Sequence, residues 1–315
     1  MPPRRTPVKR YKQPSAVAQK IRPLGGKPAR LARIAQPQDS SPKRIRRQQQ
    51  VRRFKQPQEV HSAMPPAFAV AAWDGPEVHL RAALHEAVLR DVRTMPLVAV
   101  LVPVLGRPHR VRALVDSFSA ATSPGDAALY FVAQSSDVEE VAAIRAAGLE
   151  PILVGDEDRS WARKINRAFE RTSETWMLLA ADDLRFHAGW VDSVRRLLSV
   201  HEGVIGTNDL GNPSTMQGLS STHPLVRRKY AQVCGTADER NKVLHEGYDH
   251  NFADSELVNT AKRRGLYVHC FGCRVEHLHP AWGKGDWDPV YARGQSTYHQ
   301  DGALFAARGR SHGWS

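Results

Sequence analysis

Two adjacent carboxylates, Asp182 and Asp183, end a short apolar run from Trp176 to Ala180. Charges of one sign held side by side repel unless a cation or hydrogen-bond donors offset them. Hard divalent cations such as Mg²⁺ and Mn²⁺ prefer oxygen ligands, usually one or two carboxylates together with phosphate oxygens of a substrate. The pair is therefore a candidate site for a cation and a phosphate, against the plainer alternative of a solvated turn. A second pair of acids, Asp254 and Glu256, stands where a helical pattern begins, with Leu257, Val258 and Ala261 inward and Gly265 beyond. Asp254 is also a natural helix N-cap. Further on come His277 and His279, then Lys284 between two glycines in a loop able to move. Cys270-x-x-Cys273 with those two histidines has the composition of a zinc site, but lacks a second cysteine pair; packing is the plain role of the cysteines.

The elements that must position these residues alternate regularly. Strands are expected over 97–103, 128–133, 151–154 and 176–180, separated by helices over 110–121 and 138–147 and by one that Ser160 caps, with Trp161, Ile165, Ala168 and Phe169 inward. That alternation predicts an α/β fold with parallel strands and helices on both faces. The acidic pair then falls at a strand's carboxyl end, where open α/β sheets hold their ligands. The first strand leads into Gly106-Arg107-Pro108 with no glycine-rich phosphate loop, so neither a dinucleotide-binding Rossmann domain nor a P-loop is expected. Beyond Asp183 the pattern predicts a helix over 190–200, a short strand over 203–208, a long polar loop over 208–223, a helix over 225–233 and a strand over 266–271.

The charge is unevenly distributed. Residues 1–57 hold 17 Lys or Arg and one acid, Asp39, whereas the remainder has 28 basic and 31 acidic residues. The first segment has too few large apolar residues to offset its ordering entropy and is expected to be a disordered basic tail, suited to nucleic acid or another polyanion or to solubilisation alone. Residues 58–94 read as a linker followed by a packing helix with a stripe from Val78 to Val92, and 95–315 as the main domain. No apolar run is long enough to span a bilayer and no signal peptide is recognisable. With three cysteines, a reducing, cytoplasmic setting is expected.

Taken in order, Pro103…Arg107-Pro108, Ala162…Asn166, Ala180-Ala181-Asp182-Asp183, Asp254-Ser255-Glu256-Leu257 with Gly265, and Val275-Glu276-His277 resemble the motifs of GT-A fold glycosyltransferases of the inverting, family-two-like kind. The resemblance covers roughly residues 97–314. It implies a GT-A sheet, mixed but mainly parallel, and transfer of a sugar from a nucleotide-diphosphate donor to an acceptor hydroxyl. It implies that Asp183, with His277 or His279, holds Mn²⁺ or Mg²⁺. Donor contacts would come from Pro103, Arg107, Ser135, Asp137, Asn166, Asp182 and Lys284, and the catalytic base would be Asp254 or Glu256. Two departures stand out: Ala181 precedes Asp182 where the family usually carries an acid, and Gln134-Ser135-Ser136 replaces the acids common in the nucleoside loop. The acceptor class (protein, glycan or modified DNA) stays open. The competing reading is an interaction protein, binding nucleic acid or a particle, that keeps an inactive transferase-like core.

Overall fold

The computed structural model describes residues 78–89 and 98–314. The basic segment 1–57 lies outside them, as does most of the expected linker. β1 (Val98–Pro103) is buried at every position, and its side chains alternate between two cores. Val98, Val100 and Val102 pack with α2 (Pro108–Ala121), α3 (Val138–Ala146) and α5 (Trp190–Val200). Ala99 and Leu101 pack on the other face with α1 (Val78–Leu89), α4 (Trp161–Arg171), α7 (Arg228–Val233) and α8 (Ala253–Arg263). A strand covered on both faces needs apolar residues throughout, which is why residues 97–103 and 176–180 read as continuous apolar runs.

β1, β2 (Ala127–Gln134), β3 (Ile152–Val154) and β4 (Trp176–Leu179) pair in parallel in the order β3-β2-β1-β4. The sheet continues through β7 (Leu225–Arg227), β6 (Val204–Asp209), β8 (Tyr267–His277) and β5 (Leu184–Phe186). β7 runs against β4 and β6, and β5 against β8, whereas β6 and β8 are parallel. The sheet is thus mixed and mainly parallel with helices on both faces, as expected. Connections leave β1 toward β2 on one side while β4 flanks it on the other, so a crevice opens between their carboxyl ends.

Several expectations need correction. Residues 225–233 are not one helix. Leu225 and Val226 pair with both β4 and β6 inside the sheet before α7 starts, so tertiary pairing overrides the local pattern. The strand expected over 266–271 continues to His277. It passes a bulge at which Thr207 and Asn208 of β6 face Cys270 and Arg274, with three residues looped out. The polar loop over 208–223 contains one short helix, α6 (Pro213–Met216). A long helix that the sequence pattern does not predict, α9 (Pro289–His312), follows β8. No helix of the described residues is long and apolar enough to cross a membrane.

Candidate active site

The turn after β1 is held in place by the start of α3. Gly106 adopts φ +63° and donates its N–H to Asp137 Oδ2 at 2.9 Å; Arg107 N–H donates to Glu140 Oε2 at 2.6 Å. A left-handed φ of this kind suits glycine. The turn swings the Arg107 guanidinium under the end of β4. There Nη1 donates to Asp182 Oδ1 at 2.9 Å and to Asp183 Oδ2 at 3.3 Å, while Nη2 donates to Asp288 at 2.8 Å. Asp182 and Asp183 are only 5% and 4% exposed. Buried carboxylates of this kind persist only if compensated; Arg107 is the cation that bonds to both. Arg110 adds a longer contact to Asp183 at 3.8 Å.

His277 reaches Asp183 through strand pairing. Leu184 of β5 lies opposite His277 of β8, Leu278 N–H donates to the Asp183 carbonyl at 2.9 Å, and Asp209 accepts from His277 N–H at 2.9 Å. The result is His277 Nε2 at 3.2 Å from Asp183 Oδ1. α9 completes this wall. Asp288 caps its first turn, and the Tyr291 hydroxyl donates to Asp183 Oδ2 while Arg107 stacks on the Tyr291 ring at 4.2 Å.

The two acids are driven apart electrostatically. Burial and the neighbouring Asp183 push Asp182 up to about 7, against the pull of Arg107. Burial acts on Asp183 in the same direction, but His277, the Tyr291 hydroxyl and Arg107 outweigh it and hold its carboxyl well below the usual range. His277 is raised despite burial because Asp183 favours its charged form. Burial lowers His279 to about 4 and His223 to about 3, both helped by the nearby His277.

A cavity of about 280 Å³ opens over these groups. Its walls include Pro103, Val104, Leu105 and Trp161, whose indole N–H donates to the Ala180 carbonyl at 3.0 Å. Asp254 lines it from the first turn of α8, and burial raises its carboxyl to about 6 although the Ser255 and Asp254 N–H groups pull the other way. The loop leading to Asp254 is fixed by α9: Asp301 accepts from the N–H groups of Asp249, His250 and Asn251 at 3.0, 3.0 and 2.8 Å. Phe252, the residue before α8, takes φ +67°, an uncommon conformation for a bulky side chain.

Of the residues singled out from sequence, Pro103, Arg107, Asp182, Asp183, Asp254, His277 and His279 share this cavity. The others are placed elsewhere. Asn166 is fully buried; its Oδ1 accepts from Val243 and Leu244 N–H and its Nδ2 donates to the Leu244 carbonyl, so it holds a loop. Lys284 pairs with Glu276 at 2.6 Å. Ser135 donates its N–H to the Val154 carbonyl, and Asp137 caps α3 and receives Gly106. Glu256 is 3% exposed and held by Arg308 at 2.7 Å and the Tyr248 hydroxyl at 2.7 Å. Cys270 and Cys273 sit in the apolar core under α5, where burial pushes both thiols up. They do not join the histidines in a zinc site, because the bulge turns them into the core.

The sequence pattern does not single out Tyr291, Asp288, Lys164 or His223, which the structure brings to the cavity or its wall. The signal available for α9 was Asp288-Pro289, an N-cap residue followed by proline at the first helical position.

Among the described residues no three His, Cys, Asp or Glu side chains are already gathered as a cation site. The donor chemistry nevertheless fits one. Asp183 Oδ1 is buried without a well-aligned hydrogen bond, and an imidazole nitrogen lies 3.2 Å away. Oxygen and imidazole donors together suit divalent cations of the Mn²⁺ kind.

No family model matches this chain, and no curated protein does. Among solved structures it is similar to glucosyl-3-phosphoglycerate synthase from Mycobacterium tuberculosis in complex with Mn²⁺, UDP-glucose and phosphoglyceric acid. That match has 17% identity and TM-score 0.48, over 75% of this chain and 85% of that one. The same synthase in complex with UDP matches at 17% identity and TM-score 0.48, over 72% and 83%. A mannosyltransferase from Pyrobaculum calidifontis in complex with GDP-Man and Mn²⁺ matches at 16% identity and TM-score 0.46, over 75% and 86%.

Proposed function

We propose that the chain is a metal-dependent inverting glycosyltransferase of GT-A type, moving a sugar from a nucleotide-diphosphate donor to an acceptor hydroxyl. One observation carries the reading: a single cavity at the carboxyl ends of β1 and β4 gathers the Asp182-Asp183 pair, His277 and a separately placed Asp254. The division of labour follows from their environments. Asp183 and His277 would hold Mn²⁺ or Mg²⁺, with Asp182 beside them and His279 at the rim. Bound there, the cation supplies positive charge to the diphosphate.

The chain's own groups do the rest. Pro103, Val104, Leu105 and Trp161 form an apolar wall suited to a flat nucleoside. Arg107 and the buried Lys164 bring positive charge to where the leaving group becomes anionic. Asp254 takes the proton of the acceptor hydroxyl as that oxygen forms its bond to the anomeric carbon. The bond from that carbon to the diphosphate oxygen breaks on the opposite face, and the configuration inverts. A carboxyl near pH 6 is ionised at neutral pH and still basic enough for this task. The basic segment 1–57 supports docking on a polyanion, such as nucleic acid, as a separate property.

The test is chromatography of nucleoside diphosphate released from a panel of nucleotide-sugars. Release that requires Mn²⁺ and disappears in Asp183→Ala supports the reading. Absence of release and of binding with every donor would overturn it in favour of an inactive core.

A further inference from the structure

Resting on that transferase reading, we propose that His223 is a ligand of the divalent cation alongside Asp183 and His277, and that it turns the site's preference from Mg²⁺ toward Mn²⁺. His223 ends the loop that leads into β7, directly before Pro224. It is 3% exposed and lines the cavity. Its Nδ1 lies 3.0 Å from the Leu179 carbonyl at the end of β4. A carbonyl only accepts, so Nδ1 carries the proton and Nε2 a lone pair. That Nε2 is buried and has no hydrogen-bond partner. A buried acceptor left unpaired costs about 1–3 kcal/mol, a cost that a bound group relieves.

The surroundings point to what that group is. The His223 ring meets the His277 ring edge to face, with centroids 4.9 Å apart and planes at 78°. His277 in turn presents Nε2 to Asp183 Oδ1. Arg107 and Tyr291 occupy the other carboxylate oxygen, Oδ2, so the less engaged oxygen is the one on the histidine side. A ligating histidine characteristically donates its second ring N–H to a backbone carbonyl or carboxylate, which fixes the tautomer and the ring. His223 has that arrangement already. The same tie positions the loop, as does the Thr207 hydroxyl donating to the His223 carbonyl at 2.7 Å, but neither contact uses Nε2. Two imidazoles and a carboxylate form a nitrogen-rich set, which suits Mn²⁺ and later transition ions better than Mg²⁺.

The test uses the full chain and Mn²⁺, alone and with added nucleoside diphosphate, with free Mn²⁺ read by its electron paramagnetic resonance signal. In His223→Asn the amide nitrogen can keep the hydrogen bond to Leu179 while Nε2 is lost. The expected result is Mn²⁺ affinity lowered by about tenfold or more and a smaller change for Mg²⁺, in a variant that still unfolds cooperatively without metal. Equal Mn²⁺ affinity in His223→Asn and wild type would overturn the assignment of His223 and leave the transferase reading standing. No Mn²⁺ binding by wild type under either condition would overturn the metal-dependent reading itself. Electron spin echo modulation of Mn²⁺ bound to wild type labelled with ¹⁵N-histidine needs no variant. Two coordinated imidazoles are expected, and one would overturn the assignment.

Discussion

Replacing Arg107 with leucine should expose how the acidic pair is balanced. The guanidinium contacts Asp182, Asp183 and Asp288 from one buried position, and leucine removes all of these contacts while keeping an apolar stem. Removing one partner of a buried ion pair costs about 3–5 kcal/mol, because the other charge stays behind. Arg110, His277 and Tyr291 remain around Asp183, so the lower end applies, about 3 kcal/mol. At about 2–4 °C per kcal/mol for a folded unit of this size, the melting temperature should fall by about 6–12 °C in EDTA. A divalent cation can replace the lost charge. At a hundred times its dissociation constant a ligand stabilises by about 2.7 kcal/mol, so Mn²⁺ should restore most of the loss and stabilise Arg107→Leu more than wild type.

The pH dependence has a sign as well. Asp183, held below its unfolded value, stabilises the fold at higher pH and loses that contribution as pH falls. Asp182, raised to about 7, is tolerated best when protonated, and its ionisation costs stability as pH rises. The deficit of Arg107→Leu in EDTA should therefore be smaller at pH 5 than at pH 8. Differential scanning fluorimetry at both pH values, with EDTA and with Mn²⁺, measures this. Equal melting temperatures of variant and wild type in EDTA would refute the reasoning, as would identical increments on adding Mn²⁺.

With Asp254 raised to about 6, kcat/KM should climb with pH and level off above roughly that value. Asp254→Asn should lower kcat by about 10²–10⁴-fold while leaving stabilisation by donor and Mn²⁺ intact; a Glu256→Gln variant with that behaviour would reassign the base. Arg308→Met leaves the Glu256 carboxylate with Tyr248 alone, so the urea midpoint should drop by the equivalent of about 3 kcal/mol with the slope unchanged. An unchanged midpoint would mean that α9 is not fastened there. Asn166→Ala strands the N–H groups of Val243 and Leu244 at about 1–3 kcal/mol each. Its folded fraction should titrate donor normally by calorimetry, and a fully stable variant unable to bind donor would return Asn166 to the donor site.

What could be read from the chain was what local chemistry dictates. The doubly covered strands β1 and β4 announced themselves as continuous apolar runs, Ser160 caps α4 by accepting from Arg163 N–H at 3.2 Å, and the acidic pair falls at a strand's carboxyl end. Elements made by their neighbours were illegible. β7 is three residues long and is a strand only because β4 and β6 flank it. α9 buries Tyr291, Gly294, Asp301 and Gly309, so it carries no apolar stripe of helical period. Asn166 looked like a ligand because a buried amide and a binding amide are the same residue type in sequence. His223 was invisible because only the sheet's crossover brings residues 179, 223 and 277 together.

The proposed function requires the cavity to bind a nucleotide-sugar through a cation held at Asp183. Thermal stabilisation of the full chain by a panel of nucleoside diphosphates and nucleotide-sugars, with and without Mn²⁺, measures this most directly. The expected result is a Mn²⁺-dependent rise in melting temperature for one nucleotide and its sugar conjugates, absent in Asp183→Ala. No rise for any nucleotide, or one that is equal in Asp183→Ala, would contradict it.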